Sequence, residues 1–442
     1  MSDATDHRPR AGELEGQADH TAHALDELLR CNRCGFCVSV CPTYRATLNE
    51  LFVARGRNFL ADRLLRGESL AEDDYAEPVF QCLLCGACQV VCRSSVKTDE
   101  VMVAARHRHW CNRGRPALLR FFFDHLLPNP RLLRRVVRLV GLGKRTGLSS
   151  LARSLGLLRW INVRLEAADA LVESIPRSFL RDRLHRLGFR RTEVGATAAW
   201  VLPRPKGTAG PRLVYFIGCG TDLQLPEAGE AALRVLNAGG CELVVPEHLC
   251  CGLPPFSYGD LDAARLLATR NLEILSHFQA DGIVTDCGSC AAFLSRYGEL
   301  LGPSGEAFSA KVFDFAEVAV NLPLPRLRSS LRVTYHDPCH LVRGKSVRDE
   351  PREVLRRCGY ELIELPEADW CCGGAGTYNI MHPQLSLSVL ERKMRNIGTT
   401  GAPVVATSCP ACIIQLSYGV RRFGPKVEVL HVAQLVARAL AD

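Results

Sequence analysis

The 442-residue chain has no run of about 18 apolar residues, so a membrane-spanning helix is not expected. Its first twenty residues, "MSDATDHRPRAGELEGQADH", offer no apolar signal core and no twin arginine, which argues against export. No nicotinamide or flavin fingerprint is visible. "CCGGAGTYN" contains a G-G-x-G, but it follows cysteines rather than opening a strand–turn–helix unit. No Ser-His-Asp or metal-hydrolase pattern appears either. Outside one segment the chain also lacks basic excess: residues 113–164 carry twelve Arg or Lys against the single acid Asp124, so the rest is slightly acidic despite a net charge of +8.

Cysteine, by contrast, is abundant, at 21 residues. A reducing cytosol would not preserve many disulfides, so clustered cysteines at regular spacing read as metal ligands or redox groups. The expected location is cytoplasmic.

Two runs share one spacing. "CNRCGFCVSVCP" places Cys31, Cys34, Cys37 and Cys41, and "CLLCGACQVVC" places Cys82, Cys85, Cys88 and Cys92. Intervals of two, two and three residues are those of paired 4Fe-4S clusters, in which the fourth cysteine of each run ligates the other cluster. The spacing therefore predicts one cubane on Cys31, Cys34, Cys37 and Cys92, and another on Cys82, Cys85, Cys88 and Cys41. Gly35 and Gly86 would relieve crowding there. Tetrahedral zinc is the competing reading, but it needs only four thiolates and leaves the later members of each run awkward. The helix-like text between the runs points to a helical ferredoxin module. Arg93 is a departure, since proline more often follows the fourth cysteine.

The C-terminal half repeats itself. Cys219, Cys250, Cys251, Cys287 and Cys290 recur as Cys339, Cys371, Cys372, Cys409 and Cys412 at offsets of 120, 121, 121, 122 and 122. Such constancy marks a duplicated domain. Each copy reads as strand, helix, strand, Cys-Cys-Gly loop, helix, strand, Cys-x-x-Cys, an alternation that argues for parallel sheets with ligands at the carboxyl ends of strands. Adjacent cysteines diverge by about 100° on a helix and point to opposite faces on a strand. Both can face one target only where the backbone bends, and Gly252 and Gly373 are placed to supply that bend.

Taken together these motifs resemble the iron–sulfur subunits of flavin-linked 2-hydroxy acid dehydrogenases, especially the glycolate oxidase iron–sulfur subunit family. Residues 211–442 also resemble the catalytic subunit of heterodisulfide reductase, through "YHDPCH" and "CCGGAGTYN" in the second copy. The resemblance implies that each five-cysteine set holds one further, non-cubane 4Fe-4S cluster. It implies an oxidoreductase subunit that takes electrons from an FAD-containing partner towards quinone or another acceptor; substrate oxidation and any catalytic residue would lie outside this chain. In many glycolate oxidase subunits one five-cysteine set is incomplete, whereas here both are full. That departure weakens the substrate assignment and strengthens the case for two metal centres, and two complete sets also suit the alternative of a disulfide reductase acting at non-cubane clusters. A zinc-stabilised scaffold without redox activity is a third reading.

The expected fold class is α plus α/β: a tail (1–22) without order, a helical double 4Fe-4S ferredoxin domain (23–112), a basic helical linker (113–205), and two tandem α/β Cys-Cys-Gly repeats (206–330 and 331–442). The basic linker is compatible with a packing bridge and with peripheral contact at an anionic membrane face. Nucleic acid is not an expected partner, because aromatic stacking platforms are not interleaved with the arginines. Cys111, Cys241 and Cys358 fall outside the repeat and read as small hydrophobes. His248, His336 and His340 lie beside repeat cysteines, as satisfied loop residues or as hydrogen-bond partners of a cluster.

Overall fold

The computed structural model describes residues 11–161, 163–194 and 197–441. They form two compact units, one running to Arg115 and taking in Pro255–Ala264, the other comprising Pro116–Pro254 and Arg265 onward.

The first unit is helical, built from Ala11–Leu29, Ala54–Leu65, Glu72–Phe80 and Thr98–Arg113. Apolar residues at helical spacing, among them Leu60, Ala61, Leu64 and Leu65 facing Val101, Met102 and Ala105, form its core. The helix Ala11–Leu29 begins inside the segment expected to be a tail without order; Ala24, Glu27 and Leu28 on it are buried, while residues 1–10 lie outside the described part. The return segment is fixed by backbone acceptors. Arg106 reaches the Ser257 carbonyl, Trp110 Nε1 donates to Tyr258 O at 2.6 Å, and the His107 ring meets Gly259 O at 2.9 Å. Gly259 is at φ +79°, and a Cβ there would lie 2.5 Å from the His107 amide nitrogen. That approach requires glycine.

The second unit holds two sheets. The first contains β1 (Arg190–Val194), β2 (Thr197–Leu202), β3 (Arg212–Tyr215), β4 (Glu242–Pro246), β5 (Gly282–Thr285) and β6 (Val312–Asp314), in the order β1-β2-β4-β3-β5-β6. β3 to β6 pair in parallel, with Val214 opposite both Val244 and Ile283. The second contains β7 (Arg332–Tyr335), β8 (Glu361–Ile363), β9 (Val404–Thr407) and β10 (Glu428–His431), all parallel, in the order β10-β9-β7-β8. Read from β4 and from β8, the two orders coincide, so each copy of the cysteine repeat is the same four-stranded motif. The alternation of apolar strands with helices such as Pro226–Ala238 and Val432–Ala441 explains the parallel pairing, because the crossover helices cover the sheet faces.

One core serves both copies: Val235 and Leu236 belong to the same buried cluster as Leu435 and Val436. The stretch 113–205 is not wholly helical. Its end forms β1 and β2, an antiparallel pair that extends the first repeat's sheet at β4. Its basic residues are partly spent internally. On the helix Pro130–Arg145, Arg138 bonds Asp182 at 2.8 and 3.0 Å, Arg134 pairs with the same carboxylate, and both guanidinium groups lie over the Phe179 ring. Other linker side chains, Leu139, Leu155 and Trp160 among them, are exposed. Among the described residues no helix is long and apolar enough to cross a membrane.

Candidate functional site

Both four-cysteine runs adopt one backbone shape. Arg33 and Leu84, each just before a run's second cysteine, have φ of 52° and 51°, and the glycines after that cysteine, Gly35 and Gly86, have φ of 88° and 71°. Alternating left-handed residues turn successive amides and thiols inward, forming a concave nest that suits an anionic cluster. Cys41 lines one cavity with Cys82, Cys85 and Cys88, and Cys88, whose thiol burial pushes up strongly, also feels Cys82, Cys85 and Cys41. On the other side, Cys37 is raised by burial and by its neighbours Cys41 and Cys31. Cys92 accepts from Val96 N at 3.5 Å, and Asn32 bonds Ser94 at 3.0 Å, tying the end of the second run to the start of the first.

Sequence reasoning missed Arg57. Its side chain is buried and reaches Thr43 Oγ1 at 3.0 Å, Pro78 O at 2.7 Å, Gln81 O at 3.0 Å and Cys41 Sγ at 3.9 Å. A buried guanidinium beside four thiols offsets their negative charge when they ionise. The only hint in the sequence was an arginine on the core face of a helix.

In the second unit every repeat cysteine sits where a parallel strand ends. Cys219 and Cys339 open the helices after β3 and β7; Cys287 and Cys409 cap those after β5 and β9, with Cys290 and Cys412 on the first turn. Cys250–Cys251 and Cys371–Cys372 occupy the loops after β4 and β8. Gly252 and Gly373 have φ of 97° and 83°, the bend that adjacent cysteines demand. At Gly373 a Cβ would also meet Ser386 O at 2.7 Å.

The ten thiols form one continuous series of neighbours, each shifting the titration of the next: Cys219, Cys250, Cys251, Cys290 and Cys287, then across to Cys409, Cys412, Cys372, Cys371 and Cys339. Cys372 and Cys412 are 3.6 Å apart. The crossing between copies is framed by Ser289 Oγ, 3.4 Å from Cys409 Sγ, and by Gly288 N, which donates to Ser408 O at 2.8 Å. Nine of the ten are buried and Cys219 is exposed. The second cysteine of each pair is the most acidic of its turn. Hydrogen bonds from Cys250 and Cys290 bring Cys251 down to about 5, and those from Cys371 and Cys412 do the same for Cys372.

This donor set fits iron–sulfur chemistry. The repeat sulfurs are nearly all buried beside one another, and amides point at two of them: Gly373 N at 3.4 Å from Cys371 Sγ and Gly374 N at 3.4 Å from Cys372 Sγ.

The remaining candidates separate. Cys241 and Cys358 are fully buried among apolar side chains, where burial pushes each thiol up to about 11, and Cys111 is exposed beside His107. His248 is saturated, accepting from Ile217 N at 3.0 Å, meeting Arg181 at 2.9 Å and Leu249 O at 2.8 Å, and stacking on Phe216. His336 is fully buried near Cys372 and Cys412, and burial, with Lys393 nearby, pushes it down to about 3. His340 is half-buried beside Cys339. Two buried residues behind the Cys-Cys loops went unnoticed. Asn271 bonds Leu249 N and Cys250 O at 2.9 and 2.8 Å, and Lys393 donates to Ala368 O at 3.1 Å. The repeat offset of 122 aligns them, and was the signal available.

Parallel Cys-Cys-Gly units in tandem and a helical module with two four-cysteine nests define a class of iron–sulfur oxidoreductase subunits. Family models agree: a cysteine-rich domain matches residues 213–295 and 333–417, a 4Fe-4S dicluster domain 27–96, and the linker region of the glycolate oxidase iron–sulfur subunit 114–172. The chain is 33% identical over 435 residues to the probable glycolate oxidase iron–sulfur subunit of Bacillus subtilis (strain 168), covering 93% of this chain and 94% of that one. It is 26% identical to the glycolate oxidase iron–sulfur subunit of Escherichia coli (strain K12), covering 97% and 98%. A component of the dihydromethanophenazine:CoB–CoM heterodisulfide reductase of Methanosarcina acetivorans is 27% identical, covering 95% and 96%. The chain belongs to the glycolate oxidase iron–sulfur subunit family.

Proposed function

We propose that this chain is the electron-transfer subunit of a flavin-dependent dehydrogenase for a 2-hydroxy acid of the glycolate or lactate type. The FAD-containing partner removes two electrons and two protons from the hydroxy acid, giving the 2-oxo acid, and this chain carries the electrons one at a time towards quinone. When bound, iron–sulfur clusters supply one-electron redox steps without bond breaking in the substrate. The observation that carries the reading is the donor inventory. Eighteen cysteines fall in two runs of four and two sets of five, Cys41 lines a cavity with Cys82, Cys85 and Cys88, and the repeat thiols of the two copies meet at Cys287 and Cys409.

In this reading Cys31, Cys34, Cys37 and Cys92 hold one cubane, and Cys82, Cys85, Cys88 and Cys41 the other. Cys219, Cys250, Cys251, Cys287 and Cys290 hold a third cluster, and Cys339, Cys371, Cys372, Cys409 and Cys412 a fourth. The residues' own work is to bind, to keep water from the sulfurs and to neutralise charge. Arg57 serves the cubane on Cys41, and Lys393 the last set. The exposed apolar side chains and remaining arginines of the linker support peripheral contact at the inner membrane face, where quinone resides.

Anaerobic purification with the partner subunit, followed by iron and sulfide analysis and EPR, tests the inventory. Cys92→Ser should perturb the cluster on Cys31, Cys34 and Cys37; loss confined to the other cubane would refute the crossed assignment. A second reading, direct cleavage of a disulfide, draws support from the unbroken run of ten thiols. It requires disulfide reduction by the isolated chain with an artificial reductant, whereas the first requires hydroxy-acid-dependent quinone reduction by the complex.

A further inference from the structure

The second five-cysteine set has a potential sixth donor that the first lacks. His336 follows β7 and is completely buried, yet neither ring nitrogen has a hydrogen-bond partner. One of those nitrogens, Cys372 Sγ and Cys412 Sγ lie within 4.8 Å of one another. The neighbouring polar groups are committed elsewhere. Asp337 holds Arg352 through two bonds of 2.7 and 2.9 Å, and Lys393 donates to the Glu367 and Ala368 carbonyls. The Ala368 carbonyl lies on one side of the ring and favours its protonated form, but makes no hydrogen bond of ordinary geometry with it, and also accepts from Asp337 N at 3.0 Å and from Lys393.

A buried imidazole whose nitrogens lack well-formed hydrogen bonds is destabilising, so such a ring persists where it has another partner. Its position is fixed by the backbone, through His336 N to Ala406 O at 2.9 Å. At the equivalent place in the first copy, 120 residues earlier, stands Phe216, which has no donor atom; the histidine next to that set, His248, has both nitrogens engaged.

We propose that His336 is a nitrogen ligand to iron in the cluster held by Cys339, Cys371, Cys372, Cys409 and Cys412. The second site is then a five-thiolate, one-imidazole site and the first an all-thiolate site. The inference rests on the reading that the second set holds an iron–sulfur cluster.

The test is pulsed EPR on the anaerobically purified full chain, labelled with nitrogen-15 histidine, compared with His336→Cys and His336→Phe. The unsubstituted protein should show one histidine nitrogen with a ligand-sized hyperfine coupling. His336→Cys should lose that coupling while keeping its iron and sulfide, and His336→Phe, a copy of the first repeat, should alter the second site's EPR signal and leave the other clusters' signals in place. Absence of a ligand-sized histidine coupling in unsubstituted protein that does show the second-set signal would overturn the ligation alone, as would a coupling that survives in His336→Cys. Absence of iron and sulfide from the second set would overturn the cluster reading as well, and iron analysis tells these failures apart.

Discussion

The two Cys-Cys-Gly repeats share strand order, turn geometry and thiol placement, yet their surroundings differ in charge. Behind the first pair stands neutral Asn271, and the strand that ends at Cys287 delivers Asp286, a fully buried carboxyl that desolvation raises to about 7 despite its Thr221 hydrogen bonds. Behind the second pair stands Lys393, fully buried; at the position of Asp286 is Ser408. Duplication preserved the sulfur framework, and substitution of the groups behind it made the halves electrostatically unequal. A nearby positive charge stabilises the more negative, reduced state of a cluster, so the second site should be the easier to reduce.

Removing a thiolate tests whether the repeats are equivalent in the first place. Cys251→Ser and Cys372→Ser should each lower iron content and abolish nearly all quinone reduction by the complex, with dye-linked hydroxy-acid oxidation by the flavoprotein left intact. Full iron and full quinone reduction in either variant would mean that this cysteine is structural and the repeats differ even in their ligands.

The charge difference is sharpened by Lys393→Asn, which copies the first repeat. An EPR redox titration should show the second site's midpoint potential falling by on the order of 60 mV or more, a tenfold change for one electron. An unchanged potential would remove Lys393 from the explanation.

The turns offer a smaller contrast. Gly252→Ala and Gly373→Ala both force a Cβ into a left-handed turn, a cost of about 1–3 kcal/mol. Gly373→Ala should be the worse of the two, since its Cβ also meets Ser386 O at 2.7 Å. Denaturant midpoints of the two variants would rank them, and equal losses would show that the turn at Gly373 relaxes.

The smallest effect is expected from the cysteines that the duplication does not use. Cys241→Ala and Cys358→Ala each leave a small void in the shared core, worth about 1 kcal/mol, and should keep iron and sulfide at the level of the unsubstituted protein.

Much of this arrangement was legible before any coordinates. The spacing of the two four-cysteine runs led to the expectation of crossed ligand sets, and in the structure Cys41 lines a cavity with Cys82, Cys85 and Cys88. The offset between repeats gave the parallel strand–helix alternation and the bends at Gly252 and Gly373. The linker was harder. β1 and β2 lie in a stretch read as helical, because two short strands without a strong alternating pattern acquire their identity by pairing with β4 rather than from propensity. The helix from Ala11 likewise owes its order to burial of Ala24, Glu27 and Leu28, which a polar local sequence does not announce.

By itself the sequence determined the number of cysteines, their spacing within each run and their duplication, since spacing and repeat offset are local or periodic properties of the chain. Only the tertiary structure decided that Cys287 and Cys409 meet, that Arg57 turns its charge towards Cys41, and that the His336 ring is left without a well-formed hydrogen bond while the His248 ring is saturated. These are outcomes of packing. Whether a buried polar group is satisfied depends on which distant backbone and side-chain atoms close around it, and residue spacing along the chain carries no record of that.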